Sequence, residues 1–276
     1  MNAHGIVAVS VVATAIAFPM MWLIARTPRL RRPNFRGEVI PTGFGFVITL
    51  AATPVYAILL HSGGRDDVIP YVIVVVGFGV LGLVDDLFGA RDTGGFRGHI
   101  GLLRRGRVST GLVKALGGGV IGLLAAYWAS RSYLRPGPPV TIVLDWLLIV
   151  LSANALNLLD LRPGRAVSCF WVGMVGLGLA PAGRLMLEFA VMPVLAPAVV
   201  LTLLDRSARV MMGDAGSNVL GAVLGLSLAG ALGLPGKLAV VACLVAVNVY
   251  SERRSISGLI ESNRVLRGVD RLLGVR

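Results

Sequence analysis

Long runs of apolar residues, uninterrupted by charge, constrain the fold of this chain more than any other feature of its sequence. The hydrocarbon core of a bilayer is about 30 Å thick, so one helical crossing needs roughly 20 such residues. Nine runs approach that length, and weak punctuation between residues 166 and 204 allows a tenth. The pattern predicts an all-α, polytopic integral membrane protein with about nine or ten transmembrane helices, near residues 5–25, 42–60, 68–84, 111–129, 139–159, 166–182, 186–204, 217–233 and 236–250.

The composition agrees with a membrane protein and excludes several other classes. Of the 276 residues, 55% are hydrophobic and 14% are charged, whereas about a quarter of the residues in a soluble domain are charged. The 36 glycines and 14 prolines are scattered through apolar runs, which excludes collagen-like and disordered chains. Cys169 and Cys243 each lie inside an apolar run, so we predict neither a disulfide framework nor a cysteine metal site.

The basic residues predict how the chain is oriented. No basic residue precedes the first run and an arginine cluster follows it, which favours a retained anchor over a cleaved signal peptide. With the N-terminus outside, the cytoplasmic segments hold twenty arginines and the external segments five basic residues, while Lys114 begins the fourth span on the cytoplasmic side. The net charge of +12 then orients the protein against anionic lipid, and no nucleic-acid partner is expected. We expect a single multi-pass domain, residues 1–276, in the plasma membrane.

Three segments place carboxyl and amide side chains at the ends of predicted spans. All three ends lie on the predicted cytoplasmic side, although that topology follows from arginine and lysine alone. The segments end the third and fifth spans and begin the eighth, and they hold Asp85 and Asp86, then Asn154, Asn157 and Asp160, then Asp214, Ser217 and Asn218.

Each segment taken alone has a plain explanation, because helix ends near headgroups are polar and helix starts are often capped by such residues. Their combination predicts more. Two adjacent carboxylates need a cation beside them, and a helix start with Gly213 and Gly216 suits a phosphate with its magnesium ion. A basic loop, 87–113, adds further charge for an anionic group. Together these features predict a site for a metal-chelated diphosphate next to a lipid.

The motifs resemble those of the polyprenyl-phosphate N-acetylhexosamine-1-phosphate transferases, a family that includes phospho-N-acetylmuramoyl-pentapeptide transferase. The likeness covers residues 41 to 221 and lies in the order, spacing and sidedness of four motifs. They are PTGFGF at 41–46, GLVDDLFG at 82–89, NALNLLD at 154–160 and MGDAGSN at 212–218.

This resemblance implies a reaction and a role for each matched residue. A sugar-1-phosphate would pass from a UDP-linked amino sugar to undecaprenyl phosphate, with release of UMP and a requirement for Mg²⁺. Asp214 matches the principal metal ligand, and Asp85 and Asp86 match a pair that deprotonates or positions the lipid phosphate. The other matches are Asp160 as a third catalytic-site aspartate, Lys114 as a phosphate contact, Asn154 and Asn157 as lining of the nucleotide-sugar pocket, and Ser217 and Asn218 as further substrate-binding residues.

Two departures from the family pattern bear on the sugar. The family carries a histidine-rich motif in its last cytoplasmic loop, whereas the histidines here are His4, His61 and His99. We expect Arg253 and Arg254 to hold the sugar diphosphate instead. At 161–164 the sequence LRPG replaces a Gly-x-Asp-Gly continuation, so one carboxylate is lost and an arginine is gained. Either the nucleotide sugar differs from that of the family or the activity is reduced.

Other functions and features complete the prediction. A non-catalytic relative that binds polyprenyl phosphate or a nucleotide sugar is the first alternative, and a transporter is the second, although the carboxylates lie at helix ends and no inverted repeat is found. A homodimer is one of the oligomeric states that the sequence allows.

Asp145 and Glu188 are placed at external helix ends, and an ion path is the other interpretation of these two acids. The tail, 251–276, is basic and amphipathic, which predicts an interfacial helix.

Overall fold

The computed structural model describes residues 2–63, 66–89, 110–131, 139–179 and 190–273. The apolar runs in these ranges form helices, which satisfy their backbone N–H and C=O groups internally where no water is present. Each of the nine predicted runs contains a helix, and two shorter helices follow them. The helices are α1 (Ala3–Ile24), α2 (Phe46–His61), α3 (Ile69–Phe88), α4 (Thr110–Arg131), α5 (Pro139–Leu159), α6 (Arg165–Gly178), α7 (Met192–Arg206), α8 (Asp214–Ala231), α9 (Leu234–Arg253), α10 (Ile256–Ser262) and α11 (Arg264–Leu273).

Five of the described helices, α1, α3, α4, α5 and α9, are long and apolar enough to cross a membrane. The predicted class, a mostly helical membrane protein, is confirmed at that level. Helices α2, α6 and α7 have 16, 14 and 15 residues, and a 14-residue helix rises only about 21 Å. The number of crossings and the orientation therefore stay predictions.

A short hairpin between α1 and α2 departs from the purely helical prediction. Strands β1 (Arg31–Pro33) and β2 (Val39–Pro41) pair antiparallel, with Arg31 opposite Pro41. The side-chain oxygen of Asn34 accepts hydrogen bonds from the backbone N–H groups of Arg36 and Glu38, at 2.8 and 3.0 Å, and so closes the turn. The hairpin delivers residues 41–45 to the start of α2.

Helix α8 is the centre of the described bundle. Every residue from 215 to 227 is buried, and the helix packs on α5, α3, α6 and α2. A Cβ atom built at Gly221 or Gly225 would lie 2.4 Å from a carbonyl oxygen of α5, that of Ser152 or Leu148 respectively. Two small residues four apart let helices of membrane proteins pack backbone against backbone. The contact between α8 and α5 therefore depends on these glycines.

A buried ion pair joins α5 to α9. The Nζ atom of Lys237 donates to Oδ1 of Asp145 at 2.5 Å, and the two residues are 6% and 7% exposed. The sequence placed Asp145 at an external helix end and did not predict its partner, which lies on a helix ninety-two positions away in the chain. Glu188 lies outside the described residues.

The backbone contact between α8 and α5 predicts the effect of a single methyl group. Gly221→Ala should lower the free energy of unfolding by about 1–3 kcal/mol, because the added Cβ meets a backbone carbonyl that has no room to move. Thermal unfolding in detergent measures the change. Gly176→Ala on α6 is the matched control, since a Cβ there meets nothing within 4 Å. Equal midpoints for the two variants would contradict this packing.

The buried ion pair predicts a compensating double substitution. Asp145→Leu alone or Lys237→Met alone should each destabilise the protein by about 3–5 kcal/mol, because the remaining charge is buried without a partner. The double variant should recover most of that loss, since no charge is then buried. Thermal unfolding of the four proteins in detergent tests the pair, and a double variant as unstable as either single one would refute it.

Candidate functional site

The three polar segments meet at one end of the bundle, where α3 and α5 end and α8 begins. We call the five carboxyl groups found there the carboxylate cluster. Asp160 lies near enough to Asp86, Asp205 and Asp214 for their charges to interact, and Asp85 lies near enough to Asp214 for the same interaction. The cluster consists of Asp85, Asp86, Asp160, Asp205 and Asp214.

The segment 41–45 holds the residues that lead into α8. Met211 donates its N–H to the carbonyl of Pro41 at 2.7 Å, while Phe44 and Gly45 donate theirs to the carbonyls of Met211 and Met212 at 3.2 and 2.9 Å. A Cβ atom at Gly45 would lie 2.2 Å from the Cα of Gly216. Two of the motifs noted in the sequence are therefore one structural unit, held by backbone hydrogen bonds and glycine contacts.

Carboxyl groups from three other elements lie at the first backbone N–H groups of α8 and of the two residues before it. Asp86 accepts from Asp214 and Ala215, at 3.1 and 3.0 Å. The N–H of Gly213 interacts with Asp160, and the N–H of Met212 interacts with Asp205. A helix start presents N–H groups without intrahelical partners and a partial positive charge, so carboxylates are stabilised there.

This arrangement bears on both interpretations of the start of α8. The sequence allowed capping by Asp214, Ser217 or Asn218 as one and N–H groups that face a phosphate as the other. In the structure Gly213 occupies the cap with φ of 69° and provides no side chain, and Asp86 accepts from the N–H groups of Asp214 and Ala215. Ser217 and Asn218 are buried and donate to the carbonyls of Gly213 and Asp214, at 3.0 and 2.8 Å, within the first turn.

The half-buried side of the cluster carries a lysine between two carboxylates. The Nζ of Lys114 donates to Oδ2 of Asp214 and lies 3.8 Å from Oδ2 of Asp85. Asn157 donates to Oδ1 of Asp214 at 2.7 Å and to Oγ of Ser217 at 3.1 Å. Both oxygens of Asp214 are thereby oriented by side chains that the sequence assigned to the same site.

Asp160 follows the last turn of α5 and titrates differently from a free aspartate. Burial raises the pKa of its carboxyl group well above the usual range, and the charges of Asp205, Asp214 and Asp86 raise it further. The N–H of Gly213 acts in the opposite direction, by stabilising the charged form. Asp160 therefore holds a proton more tightly than an exposed aspartate does.

The structure does not bring every predicted residue to the cluster. The side-chain amide of Asn154 donates to Oδ1 of Asn248 on α9 at 2.5 Å, so it joins two helices and does not contact Asp214. Arg253 and Arg254 are exposed where α9 ends, and no described hydrogen bond or ion pair joins them to the cluster. The basic residues Arg97, His99, Arg104, Arg105 and Arg107 lie outside the described residues.

Two residues of the site were missed in the sequence. Asp205 is buried and accepts from the N–H of Gly164 at 2.8 Å, and its position in the last turn of an apolar run was the signal available. In the sequence, Arg32 was counted only as one of the cytoplasmic arginines that orient the chain in the membrane. Its Nη2 reaches the carbonyl of Asp86 at 3.5 Å, which places a guanidinium group at the edge of the cluster.

The carboxylate oxygens of Asp85 and Asp214 fit a magnesium ion only if the contact between Lys114 and Asp214 is broken. Mg²⁺ is commonly bound through one or two carboxylates together with waters and phosphate oxygens, and Asp85 and Asp214 provide such a pair. Among the residues that the structure describes, no group of three or more His, Cys, Asp or Glu side chains is arranged to hold a metal. Lys114 contacts Asp214 where an ion would bind, so ion binding requires that lysine to turn away.

The sequence matches no family model and no curated protein. The assignment of the site therefore depends on its geometry and on the resemblance of its motifs.

The role of Asp205 can be tested directly. Asp205→Ala leaves the N–H group of Gly164 without its acceptor, at about 1–3 kcal/mol for a buried group, and removes the carboxyl charge near the N–H of Met212. We expect faster amide hydrogen exchange in residues 162–166 and 211–216 and a lower unfolding midpoint. The exposed acid Asp66 provides the control, as Asp66→Ala, and should change neither quantity. Unchanged exchange in the Asp205 variant would contradict this role.

Proposed function

We propose that this protein is an Mg²⁺-dependent transferase of the plasma membrane that moves a sugar-1-phosphate from a UDP-linked amino sugar to undecaprenyl phosphate and releases UMP. The observation that carries the proposal is the convergence of residues 41–45, Asp85, Lys114, Asn157 and Asp214 at one end of the bundle. They come from separate elements. All but Lys114 belong to motifs that resemble the same transferase family, and Lys114 matches a phosphate-contacting lysine in that resemblance. The site would face the cytoplasm, where UDP-sugars occur.

The reaction that fits this site is an in-line phosphoryl transfer. An oxygen of the lipid phosphate attacks the phosphorus that carries the sugar, and the bond from that phosphorus to the oxygen bridging to UMP breaks. The bonding electrons leave with UMP, and the lipid product carries a diphosphate. Phosphoryl transfer of this kind depends on positioning and on neutralisation of charge. The protein therefore needs to hold two anionic substrates together and to balance their charge.

The outer members of the cluster suit that task. Asp85 and Asp214 would hold Mg²⁺, which neutralises the diphosphate when bound. Lys114, released from Asp214, would then donate to phosphate oxygens. Asn157 would keep Asp214 oriented, because it already donates to the oxygen that Lys114 does not contact.

The inner members have a positioning role in this proposal. Asp86 accepts two backbone N–H groups of α8, so its carboxylate is engaged and is a poor general base. Asp85 has no such backbone contact among the described hydrogen bonds, and it is the better candidate to position or deprotonate the lipid phosphate. Asp160 and Asp205 fix the residues before α8 and so fix the direction of Asp214.

A second candidate function is favoured by one observation. Lys114 already neutralises Asp214, and the last loop carries Arg253 and Arg254 where the family has histidines. A protein that binds a polyprenyl phosphate or a nucleotide sugar without turnover would need no more than these cationic groups.

Release of UMP distinguishes the two functions. The purified protein in detergent, given undecaprenyl phosphate, Mg²⁺ and a panel of UDP-sugars, should release UMP from one donor, and EDTA should stop the reaction. Asp214→Asn should lower the rate at least about 100-fold, because loss of a mere supporting residue of a metal site already costs 10–100-fold. Asp66→Asn, a charge loss on an exposed turn, should keep the wild-type rate.

The same assay can contradict the proposal. An Asp214→Asn protein that unfolds at the wild-type midpoint and keeps more than about a tenth of the rate would refute the metal assignment. Calorimetric binding of a UDP-sugar without UMP release from any donor would support the binder instead.

A further inference from the structure

The two helices that follow α9 are attached to the protein through polar side chains. Arg165, at the start of α6, is buried and donates from Nε and Nη2 to the carboxylate of Asp270 on α11, at 2.5 and 2.8 Å. Its Nη1 donates to Oγ of Ser257 on α10 at 3.0 Å. The Nη2 atom of Arg162 lies 3.6 Å from Oε1 of Glu261 on α10. The arginines of the LRPGR segment thus hold the polar edges of α10 and α11.

The apolar side of α11 is left uncovered by the described protein. At 100° per residue, Val265, Leu266 and Val269 share one side of the helix. Arg264 and Arg267 lie about 100° beyond its two edges, and Arg271 lies between them on the opposite side. Val265 is 74%, Leu266 39% and Val269 46% exposed. Leu259 of α10 is also exposed, on the side away from Ser257 and Glu261. A helix that docks on a protein normally buries its apolar face. Helices α10 and α11 instead contact the protein through their polar sides and leave their apolar sides exposed.

The charge of α10 and α11 indicates what covers this face. Their two acids, Glu261 and Asp270, are paired with Arg162 and Arg165. Arg264 and Arg267 are exposed and flank the apolar side, and Arg271 is exposed on the opposite side. A cationic rim around an apolar face fits the headgroup region of an anionic bilayer, where the apolar side chains reach the acyl boundary. Helix α9, which is long and apolar enough to cross the membrane, ends two residues before α10 begins.

We propose that residues 256–273 form a membrane-surface anchor that binds anionic lipid through Val265, Leu266, Val269 and the three arginines of α11. The inference is independent of the proposed reaction. The anchor is held beside the cluster, because Gly164, between the two docking arginines, donates its N–H to Asp205. Lipid binding by the anchor therefore stabilises the segment that follows Asp160.

Amide hydrogen exchange of the full-length protein in nanodiscs tests the anchor. Exchange across residues 256–273 should be slower, by about tenfold or more, in discs that contain phosphatidylglycerol than in discs of phosphatidylcholine alone, since three arginines gain anionic partners. High salt should reduce that difference. Equal exchange in the two kinds of disc would overturn the proposal.

Two variants separate lipid contact from helix formation. Val265→Gln with Val269→Gln removes the apolar contact without changing charge and should abolish the slow exchange. Gly268→Gln is the matched control on the arginine side of α11, where a side chain meets nothing within 4 Å, and it should keep the slow exchange. Unchanged exchange in residues 214–231 shows that the double variant is folded. If it is folded and its tail is still slow, the proposal fails.

A second copy of the chain is the competing occupant of the apolar face. Discs that hold a single copy should retain the slow exchange. Slow exchange that appears only in discs with two copies, whatever their lipid charge, would overturn the lipid anchor in favour of a dimer contact.

Discussion

The start of α8 is the point on which the candidate site depends. Residues 212–215 present successive backbone N–H groups: Asp86 on α3 accepts from those of Asp214 and Ala215, and Asp160 and Asp205 interact with those of Gly213 and Met212. These contacts fix where α8 begins and, with it, the direction of the Asp214 side chain. The segment 41–45 reinforces the same place through backbone hydrogen bonds to Met211 and Met212. Four separate parts of the chain are therefore tied to one helix turn.

This arrangement divides the carboxylate cluster into two groups with different electrostatics. Asp86, Asp160 and Asp205 face backbone N–H groups at a helix start, and the raised pKa of Asp160 lets it carry a proton. Their proximity is stabilised without a metal. Asp85 and Asp214 lie on the other side and share the single ammonium of Lys114. Two carboxylates with one lysine leave an unbalanced negative charge, so this side of the cluster is the one where a divalent cation would gain most.

The sequence predicted the helical membrane class well, because long apolar runs leave a chain few other ways to satisfy its backbone. It also identified Asp85, Lys114, Asn157 and Asp214, which have polar chemistry at the ends of apolar runs. The sequence did not predict the role of a side chain where that role depends on which distant residue the side chain contacts. Asn154 has the same residue type and spacing as Asn157, yet its partner is Asn248 on a helix ninety-four residues away. Asp145 and Asp205 were missed as buried groups for the same reason, since their partners are distant in the chain.

The LRPGR segment connects the site to the tail and gives a role to residues that differ from the pattern of the family that the motifs resemble. Where the resemblance leads one to expect another carboxylate, Arg162 and Arg165 instead bind Glu261 and Asp270. Arg165 is buried, so removal of its partner would leave a guanidinium group without a counterion. The tail is therefore coupled to the loop after Asp160 by the cost of burying that charge. Because Asp205 holds Gly164 in the same loop, a force that moves the tail acts on the residues that position α8.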